Sequence, residues 1–239
     1  MPTPSDAYPP GLSVGVTSSR IAHVSRAART VHTAILRAFA ATGAAPDAAM
    51  LAGAVPAGHE LGVLLRELHD HDVVRLDDQG GIRAAYPFSG VATAHRVAIG
   101  GGPVVYAMCA VDALGIAAML GRDTTITSTD PTGGQEIEIS VLNGQTAWRP
   151  DTAVVSVGSD TTAAPAGGDC CPPGAAAVDR CCGVMNFFAT PTSAQAWLAA
   201  HPAVSGVVLT QQQSLRLGVD IFGHLLDDGP DSPTTGDPS

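Results

Sequence analysis

The first part of the chain alternates apolar and polar residues with the period of helices. In residues 20–42 apolar side chains recur at helical spacing with arginines on the other face, which predicts a helix that ends at Gly43. Asp47 is placed to cap a second, short helix, and a third helix is predicted from about Gly58 to His71. Two short strands follow at 72–76 and 81–86. Three helices and a hairpin predict a winged-helix-like domain over residues 20–86.

The second part changes to strand-like alternation around one continuous apolar run. A short strand, residues 103–108, leads directly into a buried helix that starts at Cys109 and ends near Gly121. A helix is predicted from Pro191 to His201 and a last one from Gln211 to Leu226. Residues 158–180 lack any period and are predicted to form a long loop. Strands are predicted at 124–130, 135–142, 153–157, 184–190 and 204–210. The fold class predicted is α+β, with an antiparallel sheet core flanked by helices, and residues 87–226 form the predicted catalytic domain.

Composition sets the broad class of protein. The 239 residues are 45% hydrophobic and 14% charged, as in a soluble globular protein. Residues 1–19 and 227–239 are polar and rich in proline, and both are predicted to be disordered tails. Gly, Asp or Arg interrupts the apolar runs well before the roughly 20 residues that cross a bilayer, and no signal peptide stands at the start. We therefore expect a cytoplasmic protein without a membrane partner.

The charge distribution bears on two classes of partner. The net charge is −10, and all twelve cationic residues are arginines. Without lysine the chain has neither a Schiff-base lysine nor a P-loop lysine. A winged helix can bind DNA or can serve as a scaffold for an enzyme domain. The helix that would read DNA carries Glu60, Glu67 and Asp70 against Arg66 alone, a poor surface for a polyanion, so we expect no nucleic acid partner.

The cysteines are the first indication of chemistry. There are five, an odd number, and four of them form the vicinal pairs Cys170-Cys171 and Cys181-Cys182. A disulfide scaffold favours an even number in a short secreted chain, whereas cytosolic thiols are commonly metal ligands or catalytic groups. The alternative for any single cysteine is a small buried hydrophobic residue.

Cys109 and Asp112 are spaced for joint chemistry at a strand-to-helix junction. At a helix start, Asp112 lies one turn beyond Cys109 on the same face. The free N–H groups there favour the thiolate, which is the nucleophile and the soft-metal ligand. A carboxylate beside a thiol can take its proton and deliver it elsewhere. The alternative is a buried cysteine with a capping aspartate.

A second thiol precedes the apolar segment that contains Phe187 and Phe188. If Cys182 faces the helix that bears Cys109, two thiolates and a carboxylate form a site for a soft metal, of which Hg(II) is the extreme case. To share one metal the two sulfurs must lie roughly 4–5 Å apart, by analogy with thiolate bonds to zinc.

These two segments resemble a known family. The sequence YAMCAVDALGIAAMLGR is similar to the first active-site motif of organomercurial lyases, and CCGVMNFFAT is similar to their second. The order of the flanking segments matches too, so the resemblance covers roughly residues 25–226. It implies a mercury-detoxifying, mercury-resistance enzyme in which Cys109 accepts the organomercurial substrate, Asp112 protonates the leaving carbon and Cys182 is the second thiol. It further implies no required cofactor, Hg(II) as a bound product, and cellular thiols or a mercuric reductase as the partners that remove it.

Some assignments stay open at this point. Counting back from Phe187 by the spacing of the family that the chain resembles selects Cys182 as the second thiol. Matching the vicinal pair instead selects Cys181, so Cys181 is a further candidate mercury ligand. Met108 replaces an aromatic residue that many members have. The Cys170-Cys171 loop looks like an insertion in the family pattern. One interpretation is functional: the loop is a lid that brings thiols over the active site, or its thiols form a zinc site with the Cys181-Cys182 pair. The other interpretation is a loop whose thiols have no role.

Other functions are compatible with the same residues. The chain could sequester Hg(II), Cu or Zn through its thiols without breaking a carbon–metal bond, regulate transcription in response to metal, or act on another carbon acid. Asp112 favours the lyase over sequestration, because protonolysis needs a proton donor and sequestration does not.

Overall fold

The computed structural model describes Tyr8, residues 20–162 and residues 181–227. Both predicted tails, apart from Tyr8 and Asp227, and the Cys170-Cys171 segment lie outside these described residues. Within them, no helix is both long enough and apolar enough to cross a membrane.

After a helical turn at residues 20–22, three helices pack around buried aliphatic side chains. They are α1 (Arg26–Thr42), α2 (Ala48–Leu51), which continues into a 3₁₀ turn at Ala52–Ala54, and α3 (Leu61–Asp70). Helix α2 begins as predicted, because the Asp47 carboxylate accepts from the Met50 N–H at 2.9 Å.

The single helix predicted from residue 20 to residue 42 is interrupted near its start, because residues 20–22 are helical but residues 23–25 are not. Ser25 adopts an extended backbone, and its hydroxyl accepts from the Ala28 N–H at 3.1 Å, so α1 begins only at Arg26. The same hydroxyl donates to Glu67 of α3 at 2.9 Å, which ties the break to the next helix. Helix α3 likewise begins at Leu61 rather than at Gly58.

An eight-stranded antiparallel sheet runs through both predicted domains. Its spatial order is β1-β2-β3-β5-β4-β6-β7-β8. The strands are β1 (Val74–Leu76), β2 (Ile82–Ala85), β3 (Phe88–Ser89), β4 (Arg96–Ile99), β5 (Val104–Ala107), β6 (Thr124–Thr129), β7 (Glu136–Leu142) and β8 (Gln145–Arg149). Since β2 pairs with β3, the sheet is continuous across the predicted boundary at residues 86 and 87. The α+β class is confirmed, whereas the winged-helix assignment and the domain division stay predictions.

A second sheet has three antiparallel strands in the order β10-β9-β11. They are β9 (Val154–Asp160), β10 (Asn186–Phe188) and β11 (Val204–Leu209). Two predictions need correction here. Residues 158–160 belong to β9 rather than to the long loop, because Gly158 and its neighbours pair with β11. The strand predicted at 184–190 is confined to β10, since Val184 and Met185 close a turn on the Cys181 carbonyl.

The helices α4 (Ala110–Leu120), α5 (Pro191–Ala200) and α6 (Gln211–Phe222) complete the fold. Nearly all of α4 is buried, and it packs closely on α6 where two glycines meet. A Cβ added to Gly218 would lie 2.9 Å from the Gly115 nitrogen and 3.0 Å from the Val111 carbonyl oxygen. These contacts fix the position of α4 and therefore of Cys109 at its start.

Candidate active site

Cys109 occupies the position that caps helix α4. Its backbone is extended, and its sulfur accepts a hydrogen bond from the Asp112 N–H at 3.5 Å. Serine, threonine, aspartate and asparagine are the usual capping residues, and sulfur is a weak acceptor. A thiol at this position is therefore a poor choice for capping but a good one for holding a thiolate at the positive end of the helix.

Asp112 lies in the first turn of α4 and is 4% exposed. A carboxylate so near a helix start is stabilised by the helix dipole, but its removal from water opposes ionisation. Burial raises the pKa of Asp112 to about 7, although hydrogen bonds from the thiol and the backbone of Cys109 act in the opposite direction. Asp112 can therefore both take and give a proton at neutral pH.

The segment that carries Cys182 is anchored to α4 through Met185. The Met185 carbonyl accepts from the Ala110 N–H at 3.1 Å, and the Met185 sulfur lies 4.0 Å from the sulfur of Cys109. The carbonyl of Cys181 closes the preceding turn by accepting from the N–H groups of Val184 and Met185. This turn and its anchor place Cys182 beside the start of α4.

Cys109, Asp112 and Cys182 converge in space. One ligand atom from each, the two sulfurs and a carboxylate oxygen, all lie within 4.8 Å of one another, and all three residues are buried. This upper limit keeps the two sulfurs within the span of one shared metal ion. Cys181 is also buried but does not belong to this group, which we name the Cys-Asp-Cys group.

Both thiols of the group are neutral in the resting protein. Burial raises the pKa of Cys109 well above its usual value, and the hydrogen bond with Cys182 and the nearby Asp112 carboxylate raise it further. For Cys182 the hydrogen bond from Cys109 lowers the pKa, but burial and the negative charges of Asp112 and Asp72 outweigh it, so the pKa is raised overall. A metal that displaces the thiol protons would stabilise the thiolates that burial disfavours.

An ion pair that sequence analysis did not identify acts on this site from the helical region. Arg20 and Asp72 pair at 2.5 Å, and both lie close enough to Cys182 to shift its pKa, Arg20 downwards and Asp72 upwards. The Tyr86 hydroxyl donates to Asp72 at 3.3 Å. Only the packing of residues far apart in sequence brings this pair to Cys182.

A cavity of about 370 Å³ opens beside Cys182. Met108, Gly183 and His95 are among the residues that line it together with Cys182. The His95 ring is within 2.9 Å of the Ser128 hydroxyl, and burial lowers its pKa to about 4, so it is neutral at pH 7. The cavity gives a small molecule a path to Cys182.

The α+β fold holds a buried Cys-Asp-Cys group whose sulfur ligands suit a soft metal. A sequence profile of the alkylmercury lyase (MerB) family matches residues 88–223, which is more than half of the chain. The chain belongs to the alkylmercury lyase family, as its two cysteine motifs indicated.

Curated relatives and a solved structure agree with this assignment. The alkylmercury lyase of Staphylococcus epidermidis is 31% identical over 158 residues, which cover 66% of this chain and 66% of that protein. The alkylmercury lyase of Bacillus cereus is 29% identical over 61% of this chain and 60% of its own length. That of Streptomyces lividans is 33% identical over 52% of this chain and 53% of its own length. The chain thus aligns with about three fifths to two thirds of the first two relatives. A crystal structure of the mercury-bound form of MerB2 shares the fold with a TM-score of 0.66 and 20% identity, covering 88% of this chain and 97% of that one.

Proposed function

We propose that this protein cleaves the carbon–mercury bond of organomercurials by protonolysis, releasing a hydrocarbon and Hg(II). One observation carries the proposal: two thiols and a carboxyl group, all buried, lie within 4.8 Å of one another. Two Hg–S bonds in a linear array span about 4.6 Å if each is close to the 2.3 Å of a Zn–S bond. Membership of the alkylmercury lyase family supports the same reaction.

The proposed reaction begins at Cys109. When R–Hg–X enters, the sulfur of Cys109 bonds to mercury, its proton passes to the Asp112 carboxylate and X⁻ leaves. The sulfur of Cys182 then bonds to the same mercury, and its proton passes to the solvent, where it balances the charge of the X⁻ already released. Two thiolates now raise the electron density on the mercury-bound carbon, which makes that carbon a better proton acceptor.

Asp112 completes the proposed reaction by protonating the carbon. The electron pair of the C–Hg bond becomes the C–H bond, and mercury remains Hg(II) throughout, so no oxidant, reductant or cofactor is consumed. A carboxyl group with a pKa of about 7 suits this double task, because it can receive the thiol proton and give it up again. Hg(II) stays on Cys109 and Cys182 until an external thiol or a mercuric reductase removes it.

The reaction needs free thiols, which supports a reducing cytoplasm as the proposed location. Cys181 takes no part in the proposed chemistry, since it lies outside the Cys-Asp-Cys group. Comparing Cys181→Ser with Cys182→Ser therefore distinguishes the loss of a neighbouring thiol from the loss of a reacting one.

The test is release of benzene from phenylmercury in excess thiol, measured by gas chromatography. We expect the wild type and Cys181→Ser to release benzene and Cys182→Ser to lose most of the rate. Asp112→Asn should lose at least about 100-fold in rate, the smaller end of what a proton-transfer group contributes. Mercury bound by the wild type without benzene release would contradict the lyase and support sequestration. Equal losses in both serine variants would contradict the assignment of Cys182.

A further inference from the structure

We propose that the cavity beside Cys182 recognises a carboxylate carried by the mercury compound, either on its organic group or on the thiolate that accompanies it. The inference rests on the proposed function and narrows the substrate class. It concerns the residues of the cavity wall other than Cys182.

The walls of the cavity carry positive charge in an acidic protein. The chain has a net charge of −10, yet the described residues that line the cavity include Arg75 and Arg83 and no aspartate or glutamate. The two arginines lie on the paired strands β1 and β2, where Arg75 is opposite Ala84. A guanidinium group offers two parallel N–H donors to a carboxylate, which suits it to this ligand.

Nearby acidic groups neutralise this charge only in part. Arg83 is exposed and forms no ion pair with any described residue. Arg75 lies 3.7 Å from Asp72, but Asp72 is already paired with Arg20 at 2.5 Å. The carboxylate of Asp77 accepts from the N–H groups of its own turn at 2.8 and 2.9 Å. Arg83 is therefore available to an anion, with Arg75 adding to the field.

The other polar groups of the walls are mostly committed to holding the cavity in shape. The Ser89 hydroxyl donates to the Val91 carbonyl at 2.7 Å, and the Thr93 hydroxyl donates to the Ala107 carbonyl at 2.7 Å. His95 is neutral and adds no charge. The preference for an anion therefore depends on the arginines, and Arg83 is the one whose exposure allows its replacement without disturbing the core.

The experiment compares kcat/KM for three matched conditions. They are phenylmercury with 2-mercaptoethanol, 4-carboxyphenylmercury with 2-mercaptoethanol, and phenylmercury with 3-mercaptopropionate. The second places a carboxylate on the organic group, and the third places one on the thiolate. We expect at least one to exceed the first by about tenfold, the size of one charged hydrogen bond, and the excess to fall with added salt.

Substitutions assign the effect to the cavity. Arg83→Gln should abolish the preference, whereas Arg149→Gln, which removes an arginine that is 80% exposed and paired with Glu138, should retain it. Equal kcat/KM values in all three conditions, or a preference that persists in Arg83→Gln, would overturn the inference. Failure of the proposed function is distinguishable, because the wild type would then release no hydrocarbon under any condition.

A binding measurement tests the inference even if the wild type releases no hydrocarbon. The Asp112→Asn variant keeps both sulfurs but lacks the proton donor, so competition against free thiol reports affinity alone. A preference for at least one of the carboxylate-bearing compounds that disappears when Arg83→Gln is added supports the inference. The same affinity ratio with and without Arg83→Gln contradicts it.

Discussion

Replacing Asp112 by asparagine should make the protein more stable while it destroys the proposed activity. The carboxyl group is buried, and burial raises its pKa from the usual 3.8 to about 7. Between these two values the folded protein holds a proton that the unfolded chain has released. The free energy of unfolding therefore falls as the pH rises from about 4 to about 7.

The size of the effect follows from the pKa. A difference of about three pH units, at 1.36 kcal/mol each, gives about 4 kcal/mol of stability lost by the wild type above pH 7. Asparagine has almost the same shape and no charge, so it escapes this cost. At pH 8 we expect Asp112→Asn to exceed the wild type by up to about 4 kcal/mol, and at pH 4 we expect the two to be nearly equal.

Urea unfolding at pH 4, 6 and 8, with reductant and chelator present, measures the difference directly. Asp130→Asn is the matched control, because burial alone would raise its pKa, but hydrogen bonds from Ala189, Ser193, Thr132 and Gly133 hold it below the usual value. This variant should lose stability at pH 8, the opposite sign. A difference between Asp112→Asn and the wild type that does not change with pH would refute the reasoning.

Two further predictions concern the packing that supports the site. Burial lowers the pKa of His32 from 6.5 to about 4, and its Nε2 has no hydrogen-bond partner among the described residues. Between these pH values the unfolded chain binds a proton that the folded protein does not. The free energy of unfolding should therefore fall by about 3 kcal/mol as the pH drops from 6.5 to 4. His32→Leu should flatten this part of a pH–stability curve measured by urea unfolding, and an unchanged slope would contradict the assignment. Gly218→Ala should cost about 1–3 kcal/mol, because the new methyl group would collide with the backbone of Gly115 and Val111. Gly53→Ala, where a methyl group meets nothing within 4 Å, is its control in thermal unfolding, and equal Tm shifts would contradict the close helix contact.

The residues of the Cys-Asp-Cys group could be chosen from sequence because local rules place two of them. An apolar strand followed at once by an apolar run predicts the junction at Cys109, and the helical period puts Asp112 one turn further on. Cys182 was selected over Cys181 by the spacing to Phe187 that the family resemblance implies, and Phe187 lies in β10. The structure brings these three residues together and leaves Cys181 outside the group.

The surroundings of the site could not be predicted, because they depend on contacts between distant segments. Met185 reaches Cys109 across 76 residues, and the effect of Arg20 and Asp72 on Cys182 depends on how the helical region packs. Strand β8 was missed altogether, since its five residues, Gln145–Arg149, carry a single buried side chain, Trp148. Its identity as a strand comes from pairing with β7 and not from its own sequence.

The central claim is that a proton from the site replaces mercury on carbon, and the product in heavy water tests it most directly. The wild-type protein would be incubated with phenylmercury and excess thiol in D₂O, and the benzene would be analysed by mass spectrometry. The account predicts one benzene for each mercury turned over, each with a single deuterium, because the proton on Asp112 exchanges with the solvent. Absence of benzene despite bound mercury, or benzene that contains no deuterium, would contradict it.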